Sequence, residues 1–350
     1  MNNPAENLLG LTLNNGWVVT EKISKAPCLT GGNFSICYKV QRGNEIGFLK
    51  ALDISMILSK PNFMKILEIA TKVHNYECDI LKLCQEKRMS KVVSIIENGE
   101  IIPDGNGSNN IPVHYLIFEL ADKSAREHIV LTPKIENSWF MRSIHNVAVG
   151  ISQLHNSGIA HQDIKPSNVL IFEKKQLTKI ADLGRAESQA AASVYINEEI
   201  AGDQAYAPPE LLYYHVDPDW NVRRKATDLY HLGSLLVFYY QKVHMTALLA
   251  EYLPSIWHWK NWQGDYSLVL PYLNEAFEAA LESIECEILK TVGDAKYSKQ
   301  IIGIISHLCN PDPKRRGHPS NRMIPINKYS LEKHISLLNK LRQEFDSKSL

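Results

Sequence analysis

Within eight residues, His161-Gln162-Asp163-Ile164-Lys165-Pro166-Ser167-Asn168, the chain collects a carboxylate, an ammonium and an amide oxygen. Such groups can accept a proton, hold an anion through a charge-assisted contact and ligate a hard cation. The strand-like Val169-Leu170-Ile171-Phe172 follows at once. Nineteen residues after Asp163 a second carboxylate stands in Asp182-Leu183-Gly184, behind the apolar Ile180-Ala181. Lys50 lies in Phe48-Leu49-Lys50-Ala51-Leu52, a run too apolar for a freely solvated strand, and Glu77 falls in the helical register of Tyr76-Glu77-Cys78-Asp79-Ile80-Leu81. Taken singly, each has a bland reading as a solvated loop acid or a surface charge.

Positioning these groups takes strands and helices, and the sequence supplies both. Residues 34–41 and 46–52 are short and apolar-rich, joined by the turn-like Arg42-Gly43-Asn44-Glu45, the pattern of a hairpin. Apolar residues from Phe63 to Cys84, mostly three or four apart, predict a helix. Strands are predicted at 92–96, 99–102 and 113–119, with a polar loop over 103–110. After Glu119 the character changes. Phe140, Ile144, Val147, Ile151 and Leu154 form a helical stripe stopped by Ser157-Gly158, short strands follow at 168–172 and 178–181, and beyond 226 the chain reads as mainly helical. The organisation is α+β: a small β-rich lobe (1–119), a short connector near 119–123, and a larger α-rich lobe (120–350).

Composition narrows the classes of function. With 350 residues, 45% apolar and 22% charged, the chain is globular rather than disordered or collagen-like. Its 38 basic and 38 acidic residues cancel, so no global charge draws it to nucleic acid or an anionic membrane. No apolar run approaches the ~20 residues of a membrane helix, and the N-terminus lacks the features of a secretory signal. Six cysteines without a Cys-x-x-Cys read as reduced thiols in a cytoplasmic protein.

In order and spacing, these segments resemble the eukaryotic-like (Hanks-type) protein kinase superfamily from about Leu29 to Arg316, and its bacterial serine/threonine branch in particular. By that resemblance Asp163 is the base that accepts the substrate hydroxyl proton, Lys165 contacts the γ-phosphate, and Asn168 and Asp182 ligate Mg2+. Gly184 frees the turn after the metal ligand, and His161 is a structural member of the catalytic loop. Leu29-Thr30-Gly31-Gly32-Asn33-Phe34-Ser35 resembles the phosphate-covering loop, with Thr30 and Ser35 where the family carries glycine. Lys50 grips the α- and β-phosphates of ATP and pairs with Glu77, Glu68 being the fallback partner. Glu119-Leu120-Ala121 is the hinge whose backbone bonds adenine, Phe118 guards the pocket behind it, and Cys37 packs over the ring. Phe48 replaces a small alanine and is expected to pack away from the nucleotide.

Tyr206-Ala207-Pro208-Pro209-Glu210 resembles the end of a protein kinase activation segment. Glu210 is expected in a buried ion pair with Arg316, and Asp228 is expected to brace the catalytic-loop backbone. The resemblance implies a two-lobed kinase fold with ATP in the cleft between lobes. It also implies Mg2+-ATP-dependent phosphorylation of serine or threonine on protein substrates, autophosphorylation and self-association with a second copy. Two rivals stand beside it. A pseudokinase scaffold draws support from the eroded glycine loop and Phe48; a small-molecule phosphotransferase is opposed by Glu210 and Arg316. Gln162 occupies the place where many kinases carry a phosphate-pairing arginine, and Asp203 the place of a loop-contacting threonine. With Ser188, Ser193 and Tyr195 as the available acceptors, the segment is expected to be ordered by its own packing or by a partner rather than by a phosphate. Arg185 and the run Arg223-Arg224-Lys225 read as solvated. Trp257, Trp259 and Trp262 read as packing a helical insertion.

Overall fold

The computed structural model describes residues 3–23, 35–53, 61–103, 112–191, 195, 198–324 and 327–348. Thr30, Gly31 and Gly32 of the expected phosphate-covering loop, and Ser193, lie outside the described residues. The chain divides into two compact units, Met1–Asp122 and Lys123–Leu350.

The first unit is built on an antiparallel sheet. Strands β1 (Val18–Ile23), β2 (Ser35–Arg42) and β3 (Glu45–Leu52) precede helix α1 (Phe63–Glu86), and β4 (Ile95–Ile101) and β5 (Val113–Glu119) follow it. The strand order is β1-β2-β3-β5-β4. Period-two alternation sends Ile36, Tyr38, Val40, Leu49 and Ala51 to one buried face. That face is closed by the N-terminal segment: Ala5, Leu8, Leu13 and Trp17 join the same core, and the Tyr38 hydroxyl donates to the Ala5 carbonyl at 2.7 Å. The indole N–H of Trp17 reaches Glu97 Oε2 at 3.2 Å while Arg42 lies over its ring. The two strands expected at 92–96 and 99–102 are one strand, β4, with a register irregularity between Ile95 and Glu97. Gly99 is not a turn between them. A Cβ there would come within 2.5 Å of the Tyr115 hydroxyl, so the glycine admits a cross-strand tyrosine rather than breaking the ladder.

The second unit opens with β6 (Lys123–Ser124), whose Ser124 hydroxyl caps α2 (Ala125–Leu131) by accepting the Glu127 N–H. Helix α3 (Asn137–His155) leads through Gly158, at φ +70°, into β7 (Ile159–Ala160). Strands β8 (Val169–Phe172) and β9 (Leu177–Ile180) form a hairpin beside β6, and β10 (Glu187–Ser188) pairs with β7. The rest is helical: α4 (Pro209–Leu212), α5 (Ala226–Gln241), α6 (Met245–Tyr252), α7 (Tyr266–Val292), α8 (Ala295–Leu308) and α9 (Glu332–Lys348). Helix α5 is buried continuously from Ala226 to Tyr240, so it is the unit's central post and needs no polar face. The tryptophan stretch packs as expected: Trp257 stacks on Tyr272 at 4.0 Å, and the Tyr213 hydroxyl donates to the Trp257 carbonyl. Among the described residues, Cys37, Cys78, Cys84, Cys286 and Cys309 form no disulfide. Among the described residues, no helix is long and apolar enough to cross a membrane.

Candidate active site

In the first unit, Lys50 on β3 and Glu77 on α1 meet at 3.0 and 3.2 Å. Glu77 is buried, so its carboxylate needs the ammonium as counter-charge. The fallback Glu68 is exposed and pairs with Lys72 instead. Across the β2–β3 ladder, Cys37 faces Lys50 and Lys39 faces Phe48; Phe48 in turn pairs with Phe118 on β5. Residues 48 and 50 are two apart on one strand and share a face. Phe48 therefore stands on the Lys50 side of the sheet, where it is half-buried rather than part of the buried core. Ser35 opens β2. Glu119 ends β5 with its N–H near the Ser94 carbonyl and its carboxylate accepting the Ser94 N–H at 2.7 Å. Ala121 follows in a non-regular stretch.

In the second unit, the loop from His161 to Asn168 is over-determined by hydrogen bonds. Asp228, fully buried on α5, accepts the backbone N–H groups of His161 and Gln162 at 2.8 Å each and meets His155 Nε2 at 2.9 Å. Burial opposes the Asp228 charge, but the His155 contact and these donors outweigh it and lower its pKa. The His161 ring joins the loop to the residue before Asp182, with Nδ1 accepting the Asp163 N–H and Nε2 facing the Ala181 carbonyl at 3.0 Å. Two non-glycine residues take left-handed backbone here, Gln162 at φ +67° and Asp182 at φ +64°. Such conformations persist where surrounding contacts hold them.

Asp163 sits at the centre. Its Oδ2 is 3.0 Å from Asn168 Nδ2 and 3.1 Å from Lys165 Nζ, while its Oδ1 accepts the Asp203 N–H at 3.0 Å. Burial raises the Asp163 pKa, with Asp182 adding to the rise and Lys165 opposing it. Lys165 bridges Asp163 and Asp203, each at 3.1 Å; burial works against its charge, yet the two carboxylates hold its pKa above the ordinary value. For Asp203, burial is likewise outweighed by Lys165, and its pKa is lowered.

Gly202 carries no signal in its residue type. A Cβ there would fall 2.2 Å from the Gln162 carbonyl oxygen and 3.1 Å from Asp163 Oδ1, so only glycine lets this segment approach the loop so closely. Farther on, Arg316 and Glu210 form a fully buried two-pronged pair, both contacts 2.6 Å. Arg224 departs from expectation. It is completely buried rather than solvated, because the carboxylate of Glu187 and the amide of Gln162 lie beside it. Gly184 is buried in the short turn after Asp182. Among the described residues, no three His, Cys, Asp or Glu side chains converge as a metal site. Asn168 and Asp182 carry side-chain oxygens of the kind that hard divalent cations take as ligands.

Residues 28–323 match the family model described as protein kinase domain. The chain is 29% identical over 147 residues to a calcium/calmodulin-dependent protein kinase kinase of Emericella nidulans, covering 40% of this chain and 27% of that protein. It is 23% identical over 209 residues to the serine/threonine-protein kinase PknL of Mycobacterium tuberculosis, covering 59% and 49%. A probable serine/threonine-protein kinase of Clostridium acetobutylicum is 25% identical over 184 residues, covering 49% and 26%. The chain thus spans between about a quarter and a half of these relatives' lengths.

Proposed function

The chain belongs to the protein kinase domain family, and from that footing we propose that it transfers the γ-phosphate of Mg2+-ATP to serine or threonine hydroxyls of protein substrates, itself included. The observation that carries this reading is the arrangement around Asp163. Its carboxylate is the acceptor for the hydroxyl proton, Lys165 is one exchange of partner away from a phosphate, and Asn168 is tethered to the same carboxylate. Phosphoryl transfer asks for little beyond positioning and charge stabilisation, which these groups supply. Asn168 and Asp182 would hold Mg2+, whose charge offsets that of the phosphates. In the first unit, the Lys50–Glu77 pair keeps an ammonium pre-aligned for the α- and β-phosphates. A pseudokinase would not need all of these groups in place. The buried Glu210–Arg316 pair supports a protein rather than a small molecule as acceptor, and the PknL and clostridial likenesses support placement in the bacterial branch. Incubation with γ-labelled ATP, Mg2+ and a serine/threonine peptide library tests the reading: label on the peptides supports it, and nucleotide binding without transfer would favour the scaffold.

Two substitutions follow from the geometry. Gly202→Ala is expected to lower kcat by about a hundredfold, the scale of a ~1 Å misplacement at a reacting centre, with KM for ATP little changed. Wild-type kcat in that variant would mean that the close approach to Gln162 is dispensable. Phe48→Ala is expected to lower KM for ATP severalfold, because the ring shares the Lys50 face. An unchanged KM with a large drop in melting temperature would place the ring in a structural role instead.

A further inference from the structure

Arg224 is completely buried, and it stands in a single wide helical turn, Asn221–Lys225, immediately before α5. Its guanidinium reaches three segments that are distant in sequence. One nitrogen donates to Gln162 Oε1 at 3.3 Å, while the other lies 3.4 Å from the Glu198 carbonyl and 3.6 Å from Glu187 Oε1. Gln162 answers from its amide nitrogen, which donates to the Arg224 carbonyl at 2.9 Å and to Asp228 at 3.1 Å. Glu187, itself buried, pairs across β10–β7 with Ala160, two residues before Gln162. The contacts close a ring: Ala160, Gln162, Arg224, Glu187 and back to Ala160.

We propose that Arg224 is a positioning residue for phosphoryl transfer, a built-in cation that ties the catalytic loop to the strand after Asp182 and so fixes Asp163 without a phosphate on the intervening segment. The inference rests on the kinase reading above and adds to it the source of the loop's order. Gln162 immediately precedes Asp163 and holds a left-handed backbone, so whatever pins Gln162 sets the direction from which Asp163 emerges. The Gln162 amide cannot pair with an anion as a cation would. Arg224 is a cation that does meet Gln162, and the buried Glu187 carboxylate already engages it. A phosphate brought here would meet that carboxylate, a like charge. Ser188 is buried and its hydroxyl accepts the Ala190 N–H, while Arg185, half-exposed, lies over the Tyr195 ring 4.1 Å away.

The test uses the full chain with Arg224→Met, Glu187→Gln and the double variant. Arg224→Met should lower kcat on a serine/threonine peptide at least a hundredfold, leave KM for ATP within about threefold, and speed amide exchange at 160–163 and 186–188 at least tenfold while α7 and α8 are unchanged. The double variant should exceed Arg224→Met in kcat, because it no longer leaves a buried carboxylate without its cation. Phosphatase-treated wild type should keep its kcat within about threefold. Wild-type kcat and exchange in Arg224→Met, or a hundredfold collapse of the wild type on phosphatase treatment, would overturn the inference. If the wild type transferred no phosphate at all, the kinase reading would fall, and amide exchange would still decide whether Arg224 ties the loop.

Discussion

Asp163→Asn is expected to lower kcat by about a thousandfold or more, while ATP affinity stays within about twofold of wild type. A general base contributes on the order of 10²–10⁴ in rate, and a thousandfold is about 4 kcal/mol of barrier. The change removes a group needed in the transition state and leaves ground-state nucleotide contacts alone. The local geometry sharpens the expectation. Asp163 receives the Asp203 N–H on one oxygen and faces the Lys165 ammonium and the Asn168 amide on the other, so an NH2 at either position would oppose a donor. In the proposed role Asp163 works as a carboxylate. Because burial raises the Asp163 pKa, activity should fall as pH drops through a value above the ordinary carboxylate range. Lys165 opposes that rise, so Lys165→Met should move the acid limb upward and lower kcat as well. Steady-state kinetics with isothermal titration of ATP separates the two quantities. Parallel loss of affinity and turnover would make Asp163 a nucleotide ligand rather than the base.

The second large effect concerns stability. Arg316→Ala should cost about 3–5 kcal/mol in unfolding free energy, the range for stranding one partner of a buried ion pair. Arg316 is wholly buried, donates twice to Glu210 at 2.6 Å, and also reaches the Asn310, Pro311 and Ala226 carbonyls, so its loss strands a carboxylate and several acceptors. Glu210→Gln with Arg316→Met should be milder than Arg316→Ala, because neither side then buries a lone charge. Urea unfolding of the three proteins checks this ordering. A loss under ~1 kcal/mol for Arg316→Ala would mean that water reaches the site when the arginine is removed.

Much of this is legible in the sequence, and the reasons are physical. The β2–β3 hairpin announces itself through two apolar runs flanking Arg42-Gly43-Asn44-Glu45, and α1 through its three-and-four spacing. The Lys50–Glu77 and Glu210–Arg316 pairs join residues 27 and 106 apart, and they were reached through the resemblance, since local periodicity carries no such information. Other features stayed hidden because tertiary neighbours decide them. Arg224 sits in a basic run that looks solvated until Glu187 and Gln162 are placed beside it. Gly202 matters through the Gln162 carbonyl, 40 positions earlier in sequence, and Gly99 through a tyrosine on the next strand. The N-terminal cover of the sheet shows no strong periodicity, although Trp17 anchors it. Phe48 is a different case. Period-two alternation already set it on the Lys50 face, and that signal was available.

If the chain is an active kinase whose chemistry runs through Asp163, one paired measurement shows it. Wild type and Asp163→Asn are incubated side by side with saturating γ-labelled ATP and Mg2+, and label is mapped by mass spectrometry on the protein and on a serine/threonine peptide. The expected result is label on serine or threonine with wild type and at least a thousandfold slower transfer with the variant. Equal transfer by both proteins would contradict the role of Asp163, and no transfer by a nucleotide-bound wild type would contradict the kinase reading itself.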